Sequence, residues 1–220
     1  MCTLSCIEFG ISALRKEEIE SKMILEMGSR NVNGSLRSYI ETLKPASYLG
    51  VDIQEGPGVD YVKDVTLLLD DLGTNAFDCV ISTELLEHTK NWREVIHVMK
   101  TIVKPGGLIL ITTRSKGFQY HGYPSDYWRY EHDDIVSIFS DCSVEIIKND
   151  SCSPGIFAKI RKPEHFSEND LSEYKLFSVI TNRRICDISS FDMKIFFARR
   201  YISKKIPEPL KKILRKIGIS

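Results

Sequence analysis

Hydrophobic positions along the chain follow two rhythms. Residues 23–27, 48–53, 77–82 and 108–113 are short apolar runs. The third, with Phe77, Cys79, Val80 and Ile81, is nearly continuous, the mark of a strand covered on both faces. Between these runs the spacing turns helical. Leu36, Tyr39, Ile40 and Leu43 share one face over residues 35–43, a helix that stops before Pro45. Trp92, Val95, Ile96, Met99, Ile102 and Val103 line the face of a second helix, with Asn91 as N-cap and Glu94 three residues on. Lys104-Pro105-Gly106-Gly107 ends it. Weaker signals complete the order: a polar helix over 11–21, a turn at 54–58, a short strand at 59–62, and one or two helical turns at 66–72. A helix over 131–140 and an antiparallel pair, 144–148 with 156–161, follow. This alternation predicts a mostly parallel sheet with helices on both faces.

At residues 23–35 the chain passes from strand to helix through a small-residue turn. Glu26 stands near the end of the strand, and Gly28, Ser29 and Gly34 lie in the turn. Such a turn gathers bare backbone amides and a helix N-terminus at one point, which suits a polar, nucleoside-containing ligand. Asp52 ends the second strand 24 residues beyond Gly28, close to the interval at which nucleotide-binding folds place a ribose-holding acid.

Composition adds bounds. With 220 residues, 42% apolar and 27% charged, the chain fits one domain with an appendage. A net charge of zero leaves no overall footprint for nucleic acid. The charge is uneven, however: residues 191–220 hold nine basic and two acidic side chains, so the tail is +7 and the rest of the chain −7. The six cysteines form no CxxC pair, which argues against zinc and a disulfide framework, and Cys79 reads as a small core residue. Residues 1–21 lack the uninterrupted apolar core of a signal peptide, and no run approaches the roughly 20 apolar residues of a membrane span. The expectation is a cytoplasmic protein.

Four stretches recur in a fixed order: Leu25-Glu26-Met27-Gly28, then Gly50-Val51-Asp52, then Phe77 to Ser82 followed by Leu86-Glu87-His88, then Lys104-Pro105-Gly106-Gly107-Leu108. At this spacing, over residues 23–161, the chain resembles the class I S-adenosylmethionine-dependent methyltransferases, specifically the group with the type 11 methyltransferase domain. The resemblance implies an α/β fold: a Rossmann-like three-layer α/β/α sandwich with a seven-stranded, mostly parallel sheet whose last strand is antiparallel. It places that domain over 1–162 and leaves a helical, basic appendage over 163–220. The family's first loop alternates glycines, whereas Arg30 and Val32 stand at the second and third of those positions. Asn31, Asn33 and Gly34 are expected to supply the left-handed backbone instead.

The resemblance also implies a cofactor, S-adenosyl-L-methionine, and assigns it residues. Glu26 faces the methionine ammonium; Gly28, Ser29 and the loop to Gly34 give close backbone approach. Asp52, with Ile53 beside it, accepts the ribose hydroxyls; Asp64 and the Val65 amide take the adenine; Thr83 and Glu84 close the methionine side. A plain turn or cap role stands beside each acid. Glu84 to His88 carries three open readings: a structural brace, a general base at His88, or a metal site. The last is suggested because Glu-x-x-Glu-His resembles the ubiquinone-pathway O-methyltransferases and the small-RNA 3′-end methyltransferases.

Residues 118–130 form a loop in which six of thirteen residues are aromatic, against 10% for the chain. Tyr123, Tyr127, Trp128 and Arg129 are expected to wall a substrate, and His121 is a second candidate base; the rival is packing, with Arg129 paired to Asp126 or Glu131. In the tail, Ile206, Leu210, Ile213, Leu214 and Ile217 make an apolar stripe opposite Lys211, Lys212, Arg215 and Lys216. Docking on the enzyme or on a second copy, and peripheral contact with the inner membrane face, both stay open. The expected activity is methyl transfer to a hydroxyl, amine or carboxylate of a small molecule or glycan intermediate, without nucleic acid as partner. A non-catalytic module of this fold is the alternative; a nicotinamide dehydrogenase is disfavoured because the first turn lacks G-x-G-x-x-G.

Overall fold

The structure, a computed structural model, describes residues 3–122 and 125–205. The expectations for Tyr123 and for the apolar stripe from Ile206 lie outside the described residues. In chain order the elements are α1 (Leu4–Ala13), β1 (Met23–Met27), α2 (Arg37–Thr42), β2 (Ser47–Asp52), β3 (Tyr61–Val62), α3 (Leu68–Leu72), β4 (Phe77–Thr83), α4 (Trp92–Ile102) and β5 (Val103–Arg114). Then come β6 (Trp128–Arg129), α5 (His132–Ile138), β7 (Ser143–Asn149), β8 (Gly155–Arg161), β9 (Leu176–Ser178), β10 (Arg183–Ile185) and α6 (Ser190–Lys205).

Seven strands form one sheet in the order β3-β2-β1-β4-β5-β8-β7. The pairs among β3, β2, β1, β4 and β5 are parallel, and β8, last of the seven along the chain, runs antiparallel to both its neighbours. Alternation along the strands feeds two cores. Ile24, Cys79, Ile81, Leu108 and Leu110 pack with Phe9 of α1 and Ile40 of α2. Their neighbours Leu25, Val80, Ile109 and Ile111 pack on the other face with α4 and α5. Burial pushes the Cys79 thiol up to about 12, so it behaves as a small hydrophobe.

Two expectations shift. The first helix is Leu4–Ala13, not a polar helix over 11–21, because Cys6, Phe9 and Ala13 carry its buried face. The polar stretch after it instead sends Glu18 to Lys159 and Arg161, at 2.8 and 2.9 Å. Asn91 occupies the N-cap of α4, yet its side chain makes no capping bond; its carbonyl accepts the Glu94 N–H at 3.1 Å.

The chain beyond 162 folds back on the domain. β9 pairs with both β10 and β6 in a second, three-stranded sheet, and Leu171, Leu176, Ile180 and Ile188 enter the same core as Trp92. Arg93 fastens this return. Its Nε donates to the Leu171 carbonyl at 2.6 Å, and Nη2 donates to the Tyr174 and Cys186 carbonyls at 2.7 and 3.1 Å. Arg93→Ala would leave three carbonyls without their charged donor, and should lower stability by about 2–4 kcal/mol. Urea unfolding measures this; an unchanged midpoint would contradict the fastening role.

Candidate functional site

Strand order reverses between β1 and β4, and open α/β sheets bind ligands beyond the carboxyl ends of strands at such a point. A cavity of about 470 Å³ lies there. Its lining includes Gly28, Ser29, Gly34, Ile53 and Val65 among the residues expected to meet a nucleoside ligand.

Glu26 reaches this cavity from β1 with 2% of its surface exposed. The Tyr48 hydroxyl donates to its Oε2 at 2.7 Å. Burial pushes the Glu26 carboxyl up, Tyr48 and Arg37 pull it back in part, and the outcome is about 7. The turn after Glu26 departs from the expectation of bare amides. The N–H groups of Gly28 and Ser29 both donate to the Val51 carbonyl, at 2.8 and 3.0 Å, and that of Asn31 to the Pro57 carbonyl at 2.7 Å. These donors are taken because the turn folds back against β2, so Gly28 and Ser29 offer close approach rather than hydrogen bonds from the main chain. Gly28 has φ +80°, and a Cβ there would meet Leu85 at 3.1 Å. The Ser29 Oγ is buried without a hydrogen-bond partner.

Asp52 and Asp64 line the cavity and also serve their turns. Asp52 accepts the N–H of Arg30 at 3.2 Å and of Gln54 at 3.0 Å. Asp64 accepts the N–H and hydroxyl of Thr66, at 2.9 and 2.8 Å. Turn and ligand roles are compatible, since a carboxylate has about four acceptor sites. Thr83, the last residue of β4, and Glu84 after it close the wall. Glu84 is buried, takes a left-handed φ of +56°, and is ion-paired with the Arg114 guanidinium.

On this wall a 3-10 turn, Leu86–His88, brings Glu87 and His88 beside His121 of the aromatic loop. His88 Nδ1 lies 2.5 Å from the Ser125 carbonyl, which requires an N–H on that nitrogen. His121 Nδ1 lies 2.9 Å from Asp126 Oδ2. Both Nε2 atoms face Glu87 Oε1, at 3.9 and 3.8 Å. That oxygen is buried and without a hydrogen-bond partner, while Oε2 accepts from the Thr113 hydroxyl at 2.9 Å. Burial would lower the His121 pKa, but Asp126 and Glu87 outweigh it and lift the imidazole to about 8. Burial would likewise raise Glu87, yet His121 and His88 bring it down to about 2. Asp126, against Arg129 and His121, sits well below the usual carboxylate range. One atom from each of Glu87, His88 and His121 lies within 4.8 Å of the others, so these three could also hold a cation.

Of the expected substrate wall, Tyr127 lines the cavity. Trp128 and Arg129 do not, and their assignment is corrected. Trp128 is 1% exposed, and its Nε1 donates to the Lys90 carbonyl at 3.1 Å. Arg129 is fully buried and grips Asp126 through two bonds of 2.6 and 2.7 Å. Both belong to β6, which pairs with β9, and both side chains are buried there. Tyr48, Arg114 and Asp126 were not singled out as site residues. Their roles rest on partners 22, 30 and 5 residues away, and only the Asp126–Arg129 pair had a local signal.

A family model described as "Methyltransferase domain" matches residues 9–147. A ubiquinone biosynthesis O-methyltransferase from Azotobacter vinelandii is 29% identical over 108 residues, covering 43% of this chain and 45% of that protein. The chain thus spans less than half the length of this curated relative. Among solved structures, an S-adenosylmethionine-dependent methyltransferase from Mesorhizobium loti superposes with a TM-score of 0.57 at 13% identity, covering 71% of this chain and 98% of that one. A Burkholderia thailandensis 1,6-didemethyltoxoflavin-N1-methyltransferase, solved with bound 1,6-didemethyltoxoflavin and S-adenosylhomocysteine, gives 0.59 at 12% identity, covering 72% and 78%. These likenesses carry the fold, and the match over more than half of the sequence carries the family: this chain belongs to the methyltransferase domain family, on the Rossmann-like class I architecture.

Proposed function

We propose that the chain transfers the methyl group of S-adenosylmethionine to a hydroxyl of a small molecule. The observation that carries this reading is the convergence of Glu26 and Asp52, near the ends of adjacent strands, with His88 and His121 on one cavity. The residues fit the donor. A buried carboxylate with a single side-chain donor suits an ammonium, and the unpartnered Ser29 hydroxyl suits a polar ligand. Asp52 would hold the ribose, Asp64 and Val65 the adenine, and Thr83 the methionine end. The sulfonium brings the activated methyl when bound. The protein's part is to orient both reactants and to manage one proton.

His121 is the group for that proton. Its Nε2 would accept the acceptor's hydroxyl proton, while Asp126 at Nδ1 and the Glu87 carboxylate stabilise the resulting imidazolium. His88, fixed by Ser125, borders the same space. The resemblance to an O-methyltransferase supports a hydroxyl acceptor. A second reading has its own observation: ligand atoms of Glu87, His88 and His121 lie within 4.8 Å of one another and the Glu87 Oε1 is unpartnered, a set that suits a divalent cation.

Calorimetry with S-adenosylhomocysteine tests the donor site. Asp52→Ala should weaken binding at least about ten-fold, or ~1.4 kcal/mol; unchanged affinity refutes the assignment. Free Glu26 holds its proton up to about pH 7, but an ammonium is held by the ionised form. Affinity should therefore fall as pH drops below about 7, with proton release on binding, and Glu26→Gln should abolish that dependence.

The proton acceptor is tested by rate. His121 must be neutral to act, so kcat/KM should rise with pH and level off above about 8. His121→Ala should cost roughly 10²–10⁴-fold. Activity lost to EDTA and restored by magnesium would assign the cluster to a cation instead.

A further inference from the structure

α6 has two unlike faces. Its start is fixed by Ser189, whose hydroxyl donates to Asp192 Oδ2 at 2.5 Å and accepts the Asp192 N–H at 3.1 Å. On its inner face Met193 and Phe196 pack against the main core. The Phe196 ring lies 5.0 Å from that of Tyr120, and the Arg200 guanidinium stacks 4.3 Å above Tyr120. This face is docked. The other is not: Phe191, Phe197, Tyr201 and Ile202 are 70%, 46%, 61% and 58% exposed. Among the described residues, every exposed aromatic side chain is on this one helix.

Those side chains are interspersed with exposed Lys194, Arg199 and Lys205, and the acid of the helix, Asp192, is spent on its first turn. The sequence beyond continues the mixture, with nine basic residues against two acidic over 191–220, while the rest of the chain is −7. A protein partner would favour aromatics but select against lysine at the core of its contact. An anionic lipid interface favours both, because rings settle at the headgroup level and cationic stems reach the phosphates. No helix among the described residues is long and apolar enough to cross a membrane, so the contact would be peripheral.

We propose that the outward face of α6 lies in the interface of an anionic lipid bilayer. Tyr120, clasped by Phe196 and Arg200, immediately precedes His121 of the cavity wall, so the lipid contact adjoins the loop that completes the site. This holds whether or not the chain transfers methyl groups.

The test is sedimentation of the full chain with vesicles of phosphatidylcholine alone, or mixed in equal parts with phosphatidylglycerol. The chain should pellet with the anionic vesicles only, and less as salt rises. The double variant Lys194→Glu with Arg199→Glu should lower partitioning at least about ten-fold. The triple variant Phe197→Ser, Tyr201→Ser, Ile202→Ser should also lower it, with circular dichroism and the urea midpoint unchanged in both. Failure to pellet, or pelleting by both variants as well as by the parent, would overturn the proposal. So would a dimer in analytical ultracentrifugation that the triple variant abolishes, which would give the face to a second copy.

Discussion

Glu26 sits on β1, the strand flanked by β2 and β4, and reaches the cavity with almost none of its surface in water. An acid in that position is costly to ionise unless a positive group or several donors meet it. Here the side chain that meets it is the Tyr48 hydroxyl, and the carboxyl stays half-protonated near neutral pH. The sheet makes this burial unavoidable. A parallel sheet covered on both faces has no solvent-facing side for β1, so an acid can only look past the strand's end. What lies past that end is the cavity at the reversal of strand order. In the proposed function, a cationic ligand group is the partner that would resolve the imbalance.

The opposite wall solves the same problem with internal partners. Glu84 lies against Arg114, and Asp126 against Arg129 and His121, so the partners of these buried acids come from the protein itself. Glu87 is held more loosely: one oxygen is on Thr113, and the other faces the two imidazoles that keep the carboxyl low, at distances too long for direct bonds. The spacing leaves room for a reacting group or an ion. The contrast separates residues that hold the loop from residues that await something.

Much of this could be read from sequence where the signal was local. The strand runs, the acid at 26 and the acid at 52 stood out because a buried parallel strand writes a continuous apolar stretch and ends abruptly. Trp128 and Arg129 were misplaced because their orientation depends on pairing with Phe177 and Ser178, some fifty residues on, which periodicity cannot see. The small residues around Gly28 suggest open amides, but whether an amide is open depends on Val51, a residue of another strand. The return of residues beyond 162 rests on Arg93, whose three carbonyl partners lie at least 78 positions away.

The account stands on the two carboxylates of β1 and β2 addressing two ends of one bound molecule. Co-crystallisation with S-adenosylhomocysteine reads this directly. The account predicts electron density in the cavity with the amino group within hydrogen-bond distance of Glu26, the ribose hydroxyls on Asp52, and the sulfur on the side of His121. Density elsewhere, or a ligand lying in the cavity without contact to Glu26 and Asp52, would contradict it.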